Sequence, residues 1–207
     1  LIPKVESLVK RSDDPVKTAM LCSIIGNMMD FGIEGASSSP EKLSEIFELS
    51  YKEGLGHDDY KKIDKILTKS KKVILFTDNC GEIVFDKILC RELKNKYNIF
   101  LTLVVKGENI LSDATLEDEE YFNFSKVVDE ILTTGCFAIG VDFENMPKKL
   151  KNAINESDLI LCKGMANYES FSETDFMPIA YLLRSKCDPI ANSMNVKKNK
   201  NVIKLYN

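Results

Sequence analysis

The chain has 207 residues, with 28 lysines and arginines against 32 aspartates and glutamates for a net charge of -4, and 44% of it is hydrophobic. At about 150 residues per domain that length holds one large domain, or a main domain with a smaller companion, and the composition excludes collagen-like, low-complexity and disordered chains. A mildly acidic chain has no global positive field to draw in nucleic acid, and no apolar run reaches the roughly 18 residues of a membrane span. The expected partner is a small ligand, with no nucleic acid and no membrane.

Six cysteines, Cys22, Cys80, Cys90, Cys136, Cys162 and Cys187, include no CxxC pair of a structural zinc site. With neither a dense disulfide pattern nor a secretory signal, reduced thiols and a cytoplasmic location are expected. The chain starts at Leu1 rather than Met, so residues upstream are expected as well.

Residues 1–69 read as an N-terminally incomplete helical domain. Val16, Ala19, Met20, Ile24 and Ile25 recur near helical spacing, as do Leu43, Ile46, Phe47 and Leu49. A break at Gly32, Gly35 and the run Ser37, Ser38, Ser39, Pro40 separates the two, Pro40 and Glu41 opening the second helix. Gly54 and Gly56 mark a loop, and no strand is expected here. Over 70–207 short apolar runs alternate with helical patterns, the signature of parallel strands with crossover helices. Strands are expected at 73–77, 100–105, 127–131, 158–162, 180–185 and 202–206. One helix carries Ile83, Val84, Ile88, Leu89 and Leu93 on a single stripe, and a shorter one Leu150, Ala153 and Ile154. The expected fold is α/β, an open and mostly parallel sheet with an N-terminal all-helical domain.

Open α/β sheets bind ligands at the carboxyl ends of their strands, and chemistry-bearing residues gather there. The first expected strand ends in Thr77, Asp78, Asn79, Cys80, Gly81, Glu82, where helix-start N–H groups can receive an anion. The second runs through Lys106 and Gly107 to Ser112, Asp113, Ala114, Thr115. Asp78, Asn79 and Asp113 together make a hard oxygen set suited to Mg²⁺ or Mn²⁺; singly, each is equally a helix cap. The acidic run from Glu117 to Glu120 reads as a solvated face favoured by the helix dipole. The strand at 158–162 opens into Lys163, Gly164, Met165, Ala166, Asn167, Tyr168 and Glu169, bringing a lysine and an amide to the same rim. Lys186 follows the next strand and is either a second phosphate contact or a solvated lysine. Asn27 and Asp30, three apart on one helix face, either cap that helix or face the ligand. A cation, a lysine and helix N-termini on one rim match a phosphoryl group.

There is no GxxxxGK[ST] loop, no GxGxxG after a strand and no GxSxG elbow, which removes the P-loop, dinucleotide and α/β-hydrolase readings. The single histidine, His57, lies in a polar loop beside Asp58 and Asp59; it is expected to be exposed and idle, which removes a histidine-based triad. Cys80 stands at a helix start, where thiol pKa falls; without a histidine nearby, packing is its expected role.

With these segments assembled, the sequence resembles the metal-dependent damage-control phosphatase family in its compact archaeal and bacterial type, long catalogued as a domain of unknown function and also described as acidic-residue (protein-glutamate) methyltransferase-like. The matching blocks are GNMMDFG at 26–32, TDNCGEIVFDK at 77–87, SDAT at 112–115, KGMANYESFSE at 163–173 and LLRSKCDPIA at 182–191. The resemblance implies a Rossmann-like three-layer α/β/α domain, carrying the metal site, beside the helical domain. It implies metal ligation by Asp78, Asn79 and Asp113. Phosphate and substrate contacts fall on Lys163 and Asn167, with Glu82, Asn27, Asp30, Glu169 and Lys186 in the pocket. The implied reaction is hydrolysis of a small phosphomonoester, a sugar phosphate or a damaged or surplus phosphometabolite, by water activated on one divalent ion (Mn, Co, Ni or Mg). Two other readings stand beside it. One is carboxylate methyl transfer from S-adenosylmethionine, which wants a Gly-rich turn where this chain has DNCGE; the other is metal and phosphate binding without turnover. Oligomeric state is open.

Overall fold

The structure, a computed structural model, describes residues 1–29 and 40–207. Asp30 and the glycine and serine break therefore lie outside the described residues. Seven strands form one sheet: β1 (Leu55–Asp58), β2 (Lys72–Phe76), β3 (Phe100–Val105), β4 (Glu130–Thr133), β5 (Leu159–Lys163), β6 (Ile179–Arg184) and β7 (Asn201–Tyr206), in the order β1-β7-β6-β5-β2-β3-β4. Every neighbouring pair is parallel except β6 with β7.

Period-2 alternation in strands buried on both faces builds the layers. Val73 and Leu75 of β2, Leu101, Leu103 and Val105 of β3, and Leu159 and Leu161 of β5 enter one apolar cluster. Ile74 and Phe76, Val104, and Ile160 and Cys162 enter the other. The first cluster is closed by helix α5 (Ile83–Lys96) through Ile83, Ile88, Leu89 and Leu93. The second is closed by α7 (Lys148–Glu156) and α8 (Gly164–Ser172) through Leu150, Ile154, Tyr168 and Phe171.

The first 69 residues are not all-helical, and their helices share the sheet's core. Val5 and Val9 of α1 (Ile2–Arg11), Met20, Ile24 and Ile25 of α2 (Pro15–Gly26), Phe47 of α3 (Pro40–Glu53) and Ile63 and Leu67 of α4 (Tyr60–Leu67) lie in the same cluster as α5 and the strands. The segment expected as a loop around Gly54 and Gly56 is strand β1, which pairs with β7 at the sheet edge. Its sequence LGHD carries one apolar residue, so no hydrophobic pattern announces it. His57 is half-buried rather than exposed: its Nε2 lies 2.9 Å from Asp59 Oδ2, and Asp59 also accepts from the Leu205 N–H of β7 and bonds Lys62. The strand expected at 127–131 begins only at Glu130, because residues 124–126 form a 3-10 turn whose Phe124 and the following Val128 are buried as core side chains.

From β2 the chain steps through β3 to β4, then returns to place β5 on the other side of β2. β2 is therefore the topological switch point, and a crevice opens beyond its carboxyl end.

Candidate active site

Beyond β2 the backbone keeps pairing. Thr77 N–H donates to Val104 O, Ala114 N–H to Asp78 O and Cys80 N–H to Ser112 O, at 3.0, 2.8 and 2.7 Å. Asn79 and Asp113 thus stand opposite each other in an antiparallel bridge, laying the TDNC and SDAT segments side by side at the switch point. The capping account of these residues fails. The residue preceding α5 is Glu82, and α6 (Leu116–Phe122) is capped by Thr115, whose N–H and hydroxyl donate to Asp118 at 2.9 and 3.1 Å. None of Asp78, Asn79 and Asp113 is the cap residue of either helix.

Asp78 is 8% exposed, and its Oδ2 accepts from Asn27 Nδ2 at 2.5 Å and Asn79 Nδ2 at 3.1 Å. Ser112 Oγ holds the Asn79 amide oxygen at 3.0 Å. Asn27 reaches Asp78 because Gly26 lets α2 close on α5; a Cβ there would lie 2.7 Å from the Phe85 ring and 2.9 Å from Glu82 Cβ. Gly164 answers a second crowding problem. At φ +75° its missing Cβ would stand 2.0 Å from Asp78 Oδ2, so only glycine lets the start of α8 pass the carboxylate. Burial pushes the Asp78 carboxyl up to about 6; Asp113 adds to the rise, while Lys163, Asn27 and Lys186 oppose it.

Beneath this layer lies a buried triad. Lys163 is fully buried, and its ammonium donates to Glu82 Oε1 at 2.6 Å, Asp86 Oδ1 at 2.8 Å and Ser23 O at 3.4 Å. Ser23 Oγ bonds the same Asp86 oxygen at 2.5 Å. The expectation of Lys163 and Glu82 as phosphate contacts is corrected here: all three lysine N–H groups are used within the protein, and Glu82 is equally buried. Burial, with Asp86 and Asp78 nearby, outweighs Lys163 and raises the Glu82 carboxyl to about 8. Glu82 Oε2 and Asp86 Oδ2 are buried without a hydrogen-bond partner among the described residues.

Asn167 acts as a staple, its Nδ2 donating to Thr77 O and Lys163 O, both at 2.8 Å. That joins the carboxyl ends of β2 and β5. Glu169, two positions on and so on the far side of α8, is exposed and joins none of these bonds. Lys186 is half-buried and spends one N–H on Asn27 O at 2.9 Å, within electrostatic reach of Asp78. The sequence reading missed Asp86, Ser23 and a role for Lys106. Asp86 left a signal, for Glu82 and Asp86 are carboxylates four apart beside the apolar stripe of Ile83, Phe85 and Leu89.

Among the described residues no three His, Cys, Asp or Glu side chains cluster as a metal site; the group here is two carboxylates and an amide oxygen. That donor chemistry suits a hard divalent cation that keeps waters. Burial and the neighbouring Asp113 raise the Asp78 carboxyl in spite of Lys163 and Lys186, and a divalent ion would offset that desolvation.

Fold and site together define a doubly wound α/β protein with an acidic, carboxyl-end site at its switch point. Over residues 1–202 it matches the damage-control phosphatase ARMT1-like domain, and the chain belongs to that family. A damage-control phosphatase from Archaeoglobus fulgidus is 40% identical over 205 residues, a match spanning 99% of this chain and 70% of the relative. Damage-control phosphatase PH1575 from Pyrococcus horikoshii is 32% identical over 196 residues, spanning 94% and 67%. The crystal structure of that DUF89 family protein superposes with a TM-score of 0.86 at 31% identity, covering 99% of this chain and 70% of the other. No helix among the described residues is long and apolar enough to cross a membrane.

Proposed function

We propose that this phosphatase-family chain hydrolyses small phosphomonoesters, sugar phosphates or damaged or surplus phosphometabolites, with one divalent cation (Mn, Co, Ni or Mg) held by Asp78, Asn79 and Asp113. The observation that carries the reading is the backbone bridge of Asn79 with Asp113 beside the buried Asp78. When bound, such an ion neutralises phosphoryl charge and lowers the pKa of a water.

The chain's own residues do the rest. Asn27 and Asn79 fix the Asp78 carboxylate by donating to one oxygen, which leaves the other directed by their geometry. Lys186, with one N–H on Asn27 O among the described residues, meets the phosphate as a point charge. Lys163, through Glu82 and Asp86, positions the start of α5. Bringing ester and water together in one oriented pocket supplies the remaining rate.

The test is phosphate release from a panel of sugar phosphates and other phosphomonoesters, after chelation and readdition of each metal. Asp78→Ala and Asp113→Ala should lower metal-restored release by about three orders of magnitude, while Lys186→Met should raise KM about tenfold with less effect on kcat. Undiminished release by Asp78→Ala would falsify the assignment.

A further inference from the structure

Three lysines reach the carboxyl end of the sheet, and counting their donors separates them. Among the described residues Lys186 spends one N–H, on Asn27 O, whereas all three of Lys163 are used and it is walled off with its two carboxylates. Lys106, the residue after β3, is the unusual one. It is 4% exposed, its ammonium lies 3.4 Å from Asp113 Oδ2, and it donates to Ala138 O at 3.3 Å and to Gly140 O. It is held as tightly as Lys163, yet the carboxylate it faces belongs to the open site.

The loop it grips is itself fixed. Gly140 has φ +69° and no room for a Cβ, which would stand 2.0 Å from Ser170 Oγ, and Val141 N–H donates to that oxygen at 3.0 Å. Gly107 is pressed against Gly135, where a Cβ would lie 2.5 Å from the Gly135 nitrogen. The ammonium is thus clamped between the 138–140 loop and Asp113.

Asp78 and Asp113 balance one divalent cation. Lys106 adds a buried positive charge beside that pair, 3.4 Å from Asp113, which opposes a cation and favours a phosphate dianion at the same place.

Resting on the metal-dependent reading above, we propose that Lys106 is a positioning residue that sets the charge of the site, weakening the hold on the divalent cation in order to strengthen the hold on the phosphate. One fixed charge acts on two ligands of opposite sign, so its removal must move the two affinities in opposite directions. Orienting one carboxylate is a smaller effect than a full charge a few ångströms from a doubly charged ion. A merely structural lysine behaves otherwise: losing it loosens the site, and both ligands bind less well.

The experiment compares Lys106→Met with the wild-type chain by two calorimetric titrations, Mn²⁺ into metal-free protein and inorganic phosphate into Mn²⁺-loaded protein. Mn²⁺ should bind about tenfold more tightly and phosphate about tenfold more weakly, each being the effect of a single partly screened charge. Lys106→Gln, which keeps an amide donor for the Gly140 carbonyl, should give the same two shifts, and it decides the matter if the methionine variant does not fold. Two weakened affinities, or two unchanged ones, overturn the inference. So does a wild-type chain that binds no Mn²⁺, which takes the metal reading with it. Wild-type Mn²⁺ binding without phosphate release from any ester would instead overturn hydrolysis alone, since neither titration depends on turnover.

Discussion

Carboxylates stand at both ends of the sheet, and the two ends treat them oppositely. At the amino end, Asp158 precedes β5 and accepts the N–H groups of Lys71 and Lys72 at 2.7 and 2.9 Å, which hold its carboxyl below the usual range. Asp129 precedes β4; burial would raise it, but Lys94 and the Leu101 N–H, at 2.6 and 2.7 Å, outweigh that and lower it. At the carboxyl end burial wins, taking Asp78 to about 6 and Glu82 to about 8. The first pair ties strand starts together and stabilises the fold. The second pair costs stability in the metal-free chain, and such groups persist where they serve a ligand.

The sharpest way to break this contrast is at Gly164. An alanine there meets a left-handed backbone and a Cβ 2.0 Å from Asp78 Oδ2, so Gly164→Ala should cost about 3 kcal/mol or more and displace the carboxylate. Chemical denaturation with a metal titration checks both; unchanged metal affinity would mean that Asp78 is not held as described. Substituting the aspartates tests the two ends directly. Asp158→Ala removes two charge-assisted bonds to backbone and should destabilise by about 1–2 kcal/mol, leaving turnover unaltered. Asp78→Asn keeps an acceptor for Asn27, removes the desolvated charge and should stabilise the metal-free chain by about 1 kcal/mol while abolishing turnover. Urea midpoints of the same sign for both variants would erase the distinction.

What could be read from the sequence follows the same division between backbone pattern and side-chain direction. The run FLTLVV announces β3 because its buried residues lie on both faces, and the turn after each strand marks where a rim residue must fall. Lys163 shows the gap. It stands at a strand's carboxyl end, as expected of a ligand contact, yet strand parity puts it on the side of Leu159 and Leu161, facing α2 and α5 rather than the crevice. Lys106 falls by the same parity with Val104, on the side of the 136–140 loop. Parity is readable once register is known, but which face becomes crevice is decided by the packing of α2 and α8, through Gly26 and Gly164. The bridge of Asn79 with Asp113 joins segments more than thirty residues apart, and no local spacing encodes it.

The smallest effect lies at the β1 edge, where a lone carboxylate ties the last strand pair. Burial alone would raise Asp59, but Lys62, His57 and the Leu205 N–H together bring it down to about 2, from an ordinary value of 3.8. Its folded pKa is depressed, so its contribution is fully present above pH 3.8 and is lost as pH falls toward 2. The full shift is worth about 2 kcal/mol, and the partial exposure of His57 and Lys62 reduces that to about 1 kcal/mol. Other carboxylates titrate in the same window, so the useful quantity is the difference in unfolding free energy between the wild-type chain and Asp59→Asn, measured in urea from pH 6 to pH 2.5. The difference should hold steady down to about pH 4 and shrink below it. A difference that stays constant to pH 2.5 would show that this carboxylate is no better held in the fold than in the unfolded chain, and that the β1 edge depends on its backbone ladder alone.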